Sequence, residues 1–405
     1  MNIVLLHYTA PPVVGGVESI LARQAQLLAR MGHKVRILAG RGQAWDARIP
    51  VNVLHLADPR HPKILTAKAK LDEGRLPENF KSLVDEVQAE LKLALRDVDA
   101  VIAHNVASQH RNLALTAALY HISQEKPGLR TILWHHELSW ASARYRAELH
   151  DGWPWELLTK PWPNARQVTV SNELRLELSN CMNVPLWQIT VIPAALDISD
   201  FLQLHPRTMA LIEAMDLALS APVLLMPVHV TRRKNIELGI AALAELRKEM
   251  PEAALIVTGP PGAQNSANQQ YFKQLQQARR DHKVKKAVHL LGEMYPEGLA
   301  EETVADLYRV ADALLMTSRE EGFGLPLLEA GLSRMPIFCS NIAQLHALAG
   351  EYATYFSPDE DPARVARLIV QRLRSDPLYQ MRVKVRKEYT WDAVYQNQIT
   401  PLFAP

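Results

Sequence analysis

Ser318-Arg-Glu-Glu-Gly-Phe-Gly-Leu-Pro-Leu-Leu-Glu-Ala330 places two carboxylates, Glu321 and Glu329, with seven residues between them across a glycine-bearing turn. Pro326 suits the first position of a helix, where its missing N–H costs nothing and its fixed φ is already helical. Glu321 is then expected in the loop, with Gly322 and Phe323 beside it, and Glu329 about one turn into the helix. The N–H groups of Gly324 and Leu325 would point out of the helix start, ready for a phosphate. A carboxylate near a sugar, a phosphate on the helix end and a second carboxylate near a ribose describe a nucleotide-sugar site.

A second turn carries the opposite charge. Pro227-Val-His-Val-Thr-Arg-Arg-Lys-Asn-Ile-Glu237 follows a strand pattern, and its Arg232, Arg233 and Lys234 stand just before a helix expected from Ile236. Cations are badly placed there unless an anion lies between them and the positive helix end. A departing nucleoside diphosphate is such an anion.

The first of these segments resembles the E-x7-E signature of retaining glycosyltransferases with the GT-B fold, most closely glycosyltransferase family 4. The resemblance covers nearly the whole chain, densely in the second half and loosely in the first. It implies that Glu321 holds donor-sugar hydroxyls, that Glu329 holds the ribose, and that Lys234 and Arg233 stabilise the leaving diphosphate. The family carries an arginine where this chain has His229, so Arg233, Arg232 and His229 all stay open for the phosphate-binding arginine's role. Gly15 and Gly16, in Gly-Gly-Val-Glu18, resemble the family's first-loop glycines and would allow close approach and unusual φ beside the donor. The loops at Thr258-Gly-Pro-Pro-Gly262 and Gly292-Glu-Met-Tyr295 resemble those bordering diphosphate and nucleobase, which brings in Gly259 and Met294. His136-Glu137 resembles the His-Asp pair close to the donor sugar. Pro193-Ala-Ala-Leu-Asp197 lacks the Asn-Gly usual in the family, which leaves the hinge between domains open.

Other residues of the first half bear on the acceptor. His104-Asn105 ends one strand pattern and His136-Glu137 the next. Five tryptophans, Trp134, Trp140, Trp153, Trp155 and Trp162, fall within one short stretch, with Arg144 among them. Flat aromatics cover the apolar faces of sugar rings. Trp140, Glu137, Asn105 and Arg144 are therefore candidate acceptor contacts; an excursion folded on its own tryptophan core, or one used for dimerisation, accounts for the stretch equally well. His135 and His136 point oppositely on a strand, and no third ligand is spaced to complete a metal site with them. Asp97-Val-Asp99 reads as a polar lead-in to a strand.

Short apolar, β-branched runs alternate with amphipathic segments of helix length, the rhythm of parallel α/β sheets. Strands are expected at 2–7, 34–39, 51–56, 100–104, 130–134, 168–171 and 189–192, then at 223–227, 254–258, 288–291, 313–316, 336–339 and 353–356. With 405 residues the chain suits two cores better than one. Two doubly wound Rossmann-like domains facing a cleft are expected: 1–200 for the acceptor, 201–385 for the nucleotide sugar, and 386–405 as a helix crossing back. The strand pattern lapses near 197–217, the expected seam.

A net charge of +2 makes no case for nucleic acid. The basic run Arg60–Lys70 reads as a solvated loop and helix start, with contact to an anionic acceptor or to a membrane surface as its alternatives. No apolar run is long enough to span a bilayer, no leader peptide is apparent, and Cys181 and Cys339 are expected as free thiols in the cytoplasm. The expected substrate is a UDP- or GDP-sugar, with a sugar, polyol, sugar phosphate, glycerate-like compound or glycan as acceptor. No separate cofactor and no metal are expected, and the sequence specifies no oligomeric state. The rival readings are an epimerase or sugar phosphorylase of the same fold and a non-catalytic nucleotide-sugar-binding protein.

Overall fold

The computed structural model describes residues 1–261 and 266–403. The chain divides into two compact units, Met1–Leu196 with Tyr389–Pro405, and Asp197–Glu388.

The first unit holds a parallel sheet of seven strands: β1 (Asn2–Thr9), β2 (Lys34–Arg41), β3 (Val51–Val53), β4 (Ala100–His104), β5 (Arg130–His135), β6 (Ala165–Thr169) and β7 (Ile189–Val191). Their order is β3-β2-β1-β4-β5-β6-β7, which reverses direction between β1 and β4. Alternate residues of β1 feed opposite faces: Val4 and Leu6 join one buried cluster, Ile3 and Leu5 another. Burial on both faces explains why these strands read as continuous apolar runs.

The second unit repeats the plan with six strands: β8 (Val223–Met226), β9 (Ala254–Val257), β10 (Val288–Leu290), β11 (Ala313–Met316), β12 (Ile337–Ser340) and β13 (Thr354–Phe356). The order β10-β9-β8-β11-β12-β13 reverses between β8 and β11. Leu224 and Met226 face one core, Val223 and Leu225 the other. In such sheets ligands bind beyond the carboxyl ends of the strands at the reversal. Those ends are the loops after β1 and β4 and the loops after β8 and β11.

Three local expectations change. The run 51–56 is a strand only to Val53 and then tightens into a 3₁₀ turn at His55–Ala57. The seam contains two short helices, Ile198–Leu202 and Pro206–Ala214, each started by a side-chain cap, Asp197 and His205. The tail is an α-turn at Trp391–Val394, a π segment at Tyr395–Ile399 and a 3₁₀ turn at Thr400–Phe403 rather than one regular helix. Trp391, Val394, Ile399 and Leu402 nonetheless bury against the same core as β1.

Among the described residues no helix is long and apolar enough to cross a membrane. Lys63 and Lys68 of the basic run sit on a helix, Pro62–Asp72, and pair with Glu86 at 2.7 Å and Asp72 at 2.5 Å. Cys181 and Cys339 are both free thiols.

Candidate active site

The loops after β8 and β11 meet at Glu321. Lys234 Nζ donates to Glu321 Oε1 at 2.5 Å, and Ser318 Oγ donates to the same oxygen at 2.6 Å. Arg233 Nη1 stands 3.8 Å from Oε2. The Lys234 and Glu321 side chains are only 10% and 7% exposed, whereas that of Arg233 is 48% exposed. The buried carboxylate is thus already neutralised, and the arginine beside it, whose Nη1 donates to the Glu320 carbonyl at 3.2 Å, keeps other N–H groups for a further anion.

Backbone bonds fix this meeting. Arg319 N–H donates to the Arg233 carbonyl at 2.8 Å, and Thr317 Oγ1 lies 2.7 Å from the Asn235 carbonyl. Asn235 takes a left-handed conformation (φ 50°) and ends the 3₁₀ turn Arg232–Lys234, so that the helix Ile236–Leu246 starts in a new direction. Asparagine tolerates that region better than most residues.

Glu329 lies one turn into the helix Leu325–Leu332. Leu325 opens that helix and Pro326 follows at its second position, one residue later than the spacing suggested. Gly324 caps it at φ +100°, a conformation that favours glycine, and a Cβ there would fall 2.8 Å from Leu345 Cδ2. Among the described residues the N–H groups of Gly324 and Leu325 have no acceptor. The phenol of buried Tyr308 donates to Glu329 Oε2. Burial and then the Glu329 charge push the Tyr308 phenol above its ordinary range. The sequence offered no signal for this partner, because Tyr308 looks like any core residue of an amphipathic helix.

The other candidates of this unit separate. Arg232 turns away: its guanidinium stacks over Tyr271 at 5.3 Å and donates to Gln274 at 2.9 Å. His229 is exposed in the loop after β8. A Cβ on Gly259 would fall 2.5 Å from the Val228 carbonyl, so glycine lets the loops after β8 and β9 touch. Gly262 lies outside the described residues. Gly322 has open space around it, and Phe323, Leu325 and Met294 are largely exposed.

In the first unit three histidines gather where β1, β4 and β5 end. His7 Nδ1 donates to the His104 carbonyl at 2.8 Å, and His104 Nδ1 lies 2.9 Å from His136 Nε2 with the rings stacked. His136 is pushed down to about 3, first by burial and then by His7 and His135; burial also holds His104 well below the usual imidazole range. All are neutral near pH 7, able to accept or donate hydrogen bonds without carrying charge. His135 points oppositely, to Gln167 at 2.7 Å. Asn105, at φ 59°, accepts the His136 N–H at 2.7 Å, and Gln109 donates to Glu137 at 2.6 Å.

The expectation of unusual φ at Gly15 and Gly16 fails. Gly15 is extended (φ −170°) and Gly16 is the first helical residue; only the open space at Gly16 remains. Of the five clustered tryptophans, Trp155 and Trp162 are buried in one core, with Trp140 and Trp153 half-buried against it, while Trp134 is buried in a separate core of the same unit. Trp153 meets Phe80 and Trp162 meets Tyr120 edge-on, so these rings join the general core of the first unit. Arg144 is exposed and lies over Tyr145.

Two family models account for most of the chain. Residues 14–200 match Glycosyltransferase Family 4, and residues 210–388 match Glycosyl transferases group 1. The chain belongs to the group 1 glycosyltransferases of family 4. It is a glycosyltransferase with the GT-B fold, and its substrates are a nucleotide sugar and an acceptor. It is similar to the mannosylglucosylglycerate synthase of Petrotoga mobilis, 23% identical over 83% of this chain and 81% of that protein. It is also similar to the glycogen synthase of Mycobacterium tuberculosis, 26% identical over 93% of this chain and 91% of that one. Among solved structures, the sucrose-phosphate synthase of Thermosynechococcus elongatus aligns over 99% of this chain and 98% of its own at 17% identity, with a TM-score of 0.37.

One further group in this glycosyltransferase was invisible in the sequence. Asp72, His110 and Glu148 each offer one ligand atom, and these atoms lie within 4.8 Å of one another. Lys68 already bridges the two carboxylates, at 2.5 Å and 3.1 Å, and His110 Nε2 lies 2.6 Å from Glu148. An ammonium occupies the place a cation would take, so the cluster reads as a salt-bridge network.

Proposed function

We propose that this glycosyltransferase moves a hexose from a UDP- or GDP-sugar to a hydroxyl acceptor with retention, without a metal. One observation carries the reading: the buried Glu321 carboxylate held by Lys234 and Ser318, with Arg233 within reach. Oε1 takes both donors and leaves Oε2 for donor-sugar hydroxyls. Lys234 spends one of its three N–H groups on Glu321 and keeps two for the leaving diphosphate. Arg233 and the free N–H groups at Gly324 and Leu325 add to the charge stabilisation that a metal would otherwise supply. Glu329, one helical turn on, takes the ribose hydroxyls.

The leaving phosphate oxygen accepts the acceptor's proton on the front face, and the neutral His136 hydrogen-bonds the sugar. Trp140, Glu137, Asn105 and Arg144 stay as proposed acceptor contacts, with Gly15, Gly16, Gly259, Met294, Gly322 and Phe323 lining the donor. The names of the similar enzymes support a hexose, and mannose is the first sugar to try. With free thiols, a reducing compartment such as the cytoplasm suits the enzyme.

The test is turnover of UDP- and GDP-hexoses against an acceptor panel, with and without EDTA, reading the product's anomeric configuration by NMR. Retention with EDTA-insensitive turnover is expected, with Lys234→Ala lowering kcat and Glu329→Ala raising the donor Kd. Inversion, loss of activity in EDTA, or unchanged kinetics in both variants would overturn the reading. A nucleotide sugar altered with no acceptor present would favour an epimerase.

A further inference from the structure

At the carboxyl ends of β1 and β2, within the first unit, lies a cavity of about 180 Å³ bordered by Thr9, Glu18, Arg41, Asp58, Arg60 and Arg111, with His7 at its wall. That volume equals the share of about six water molecules, room for a small head group rather than a whole oligosaccharide. Three arginines, Arg41, Arg60 and Arg111, line it together with two acids, Glu18 and Asp58.

Asp58 is engaged at both of its oxygens. Arg41 Nε lies 2.7 Å from its Oδ2, and the Arg60 backbone N–H donates to its Oδ1 at 2.9 Å. Gly40 packs so closely on the Asp58 backbone that a Cβ would fall 2.1 Å from its nitrogen, which pins this turn. Glu18 accepts from Thr9. Among the described residues no carboxylate pairs with Arg60 or Arg111. Arg111 is close enough to act electrostatically on both His7 and Tyr8 at the cavity wall.

The wall also offers an acceptor of hydrogen bonds. His7 gives its Nδ1–H to the His104 carbonyl, so Nε2 of the neutral ring presents a lone pair, 3.9 Å from Glu18. Two unpaired guanidinium groups beside a neutral imidazole nitrogen and a carboxylate match a compound with an acid group and a hydroxyl close together.

We propose that the acceptor is an acidic hydroxyl compound whose carboxylate or phosphate docks between Arg60 and Arg111 while a hydroxyl meets His7 and Glu18. This rests on the transferase reading for the word acceptor, but the oxyanion site itself does not. Calorimetry on the full chain, without nucleotide sugar, uses D-glycerate, glycerol 3-phosphate and neutral glycerol as probes. The two acids bind and glycerol does not, and Arg60→Gln and Arg111→Gln each weaken the acids about tenfold or more. Lys63→Gln, a paired surface lysine elsewhere, leaves binding unchanged. Preference for glycerate names a carboxylic acid and preference for the phosphate names a phosphate ester; either supports the site. No acid binding, equal binding of glycerol, or wild-type affinity in both arginine variants overturns it.

Transfer assays then separate the two readings. If neutral acceptors react with a KM that Arg111→Gln does not move, the acidic acceptor is wrong and the transferase reading stands. If acids bind through the arginines but no nucleotide sugar is turned over, the site stands and the transferase reading falls.

Discussion

Lys234 and Glu321, 87 residues apart in the chain, are joined through a 2.5 Å contact between side chains that are almost fully buried. Neither charge was taken out of water for its own sake. A buried pair gains little over an apolar one, but losing one partner strands the other.

Lys234→Met and Glu321→Gln should therefore each destabilise the second unit by about 3–5 kcal/mol. The double variant should recover a large part of that loss. Urea unfolding followed by far-UV circular dichroism checks this, and additive losses would mean that the pair is not coupled in solution.

Tyr308 holds Glu329 through one hydrogen bond. Tyr308→Phe should raise the Kd for UDP or GDP by about fivefold, the equivalent of roughly 1 kcal/mol, and less than Glu329→Ala does. Calorimetric titration reads both. An affinity unmoved by Tyr308→Phe would show that Glu329 needs no such anchor.

Gly324 sits at φ +100° with Leu345 against the place of a Cβ, whereas Gly322 has nothing near it. Gly324→Ala should cost about 1–3 kcal/mol and weaken nucleotide binding by turning the free N–H groups. Gly322→Ala should stay within about 0.5 kcal/mol of wild type. Melting curves with and without nucleotide compare the two, and equal melting points would remove the argument from backbone strain.

All eight tryptophans fall in the first unit, so their fluorescence follows that unit alone. In that unit His7, His104, His135 and His136 have folded values below the ordinary 6.5, with His135 at about 4 and His136 at about 3, burial being the main cause in each. Above pH 6.5 folded and unfolded chains both keep these rings neutral, and the stability is complete. As pH falls from 6.5 towards 4 and then 3, the unfolded chain binds protons that the folded chain refuses, and stability falls. Each such ring contributes a slope of about 1.4 kcal/mol per pH unit. His135→Gln should remove about one ring's share of that slope between pH 6 and 5. Denaturation followed by tryptophan emission measures it, and an unchanged slope would place the His135 proton elsewhere.

Much of this was legible from residue order. The strands at Ala100–His104 and Ala313–Met316 appear where the apolar runs put them, because a strand buried on both faces must be apolar throughout. Glu321 in a loop and Glu329 one turn into a helix followed from glycine and proline, whose backbone preferences act locally.

What stayed hidden was the choice among partners. Three adjacent cations looked alike, yet Lys234 turns in to Glu321, Arg233 stays beside it and Arg232 leaves for Tyr271. The tryptophans read equally as a sugar platform or a core, and only packing made most of them core.

The sequence by itself determined the βα rhythm, the doubly wound architecture and the two carboxylates at a glycine–proline helix start, since each depends on periodicity or on φ and ψ within a few residues. Tertiary structure alone decided which cation neutralises Glu321, that Tyr308 anchors Glu329, and that Arg60 and Arg111 border a common cavity. Those outcomes depend on contacts between segments tens of residues apart, set by how the sheets stack and not by any spacing along the chain.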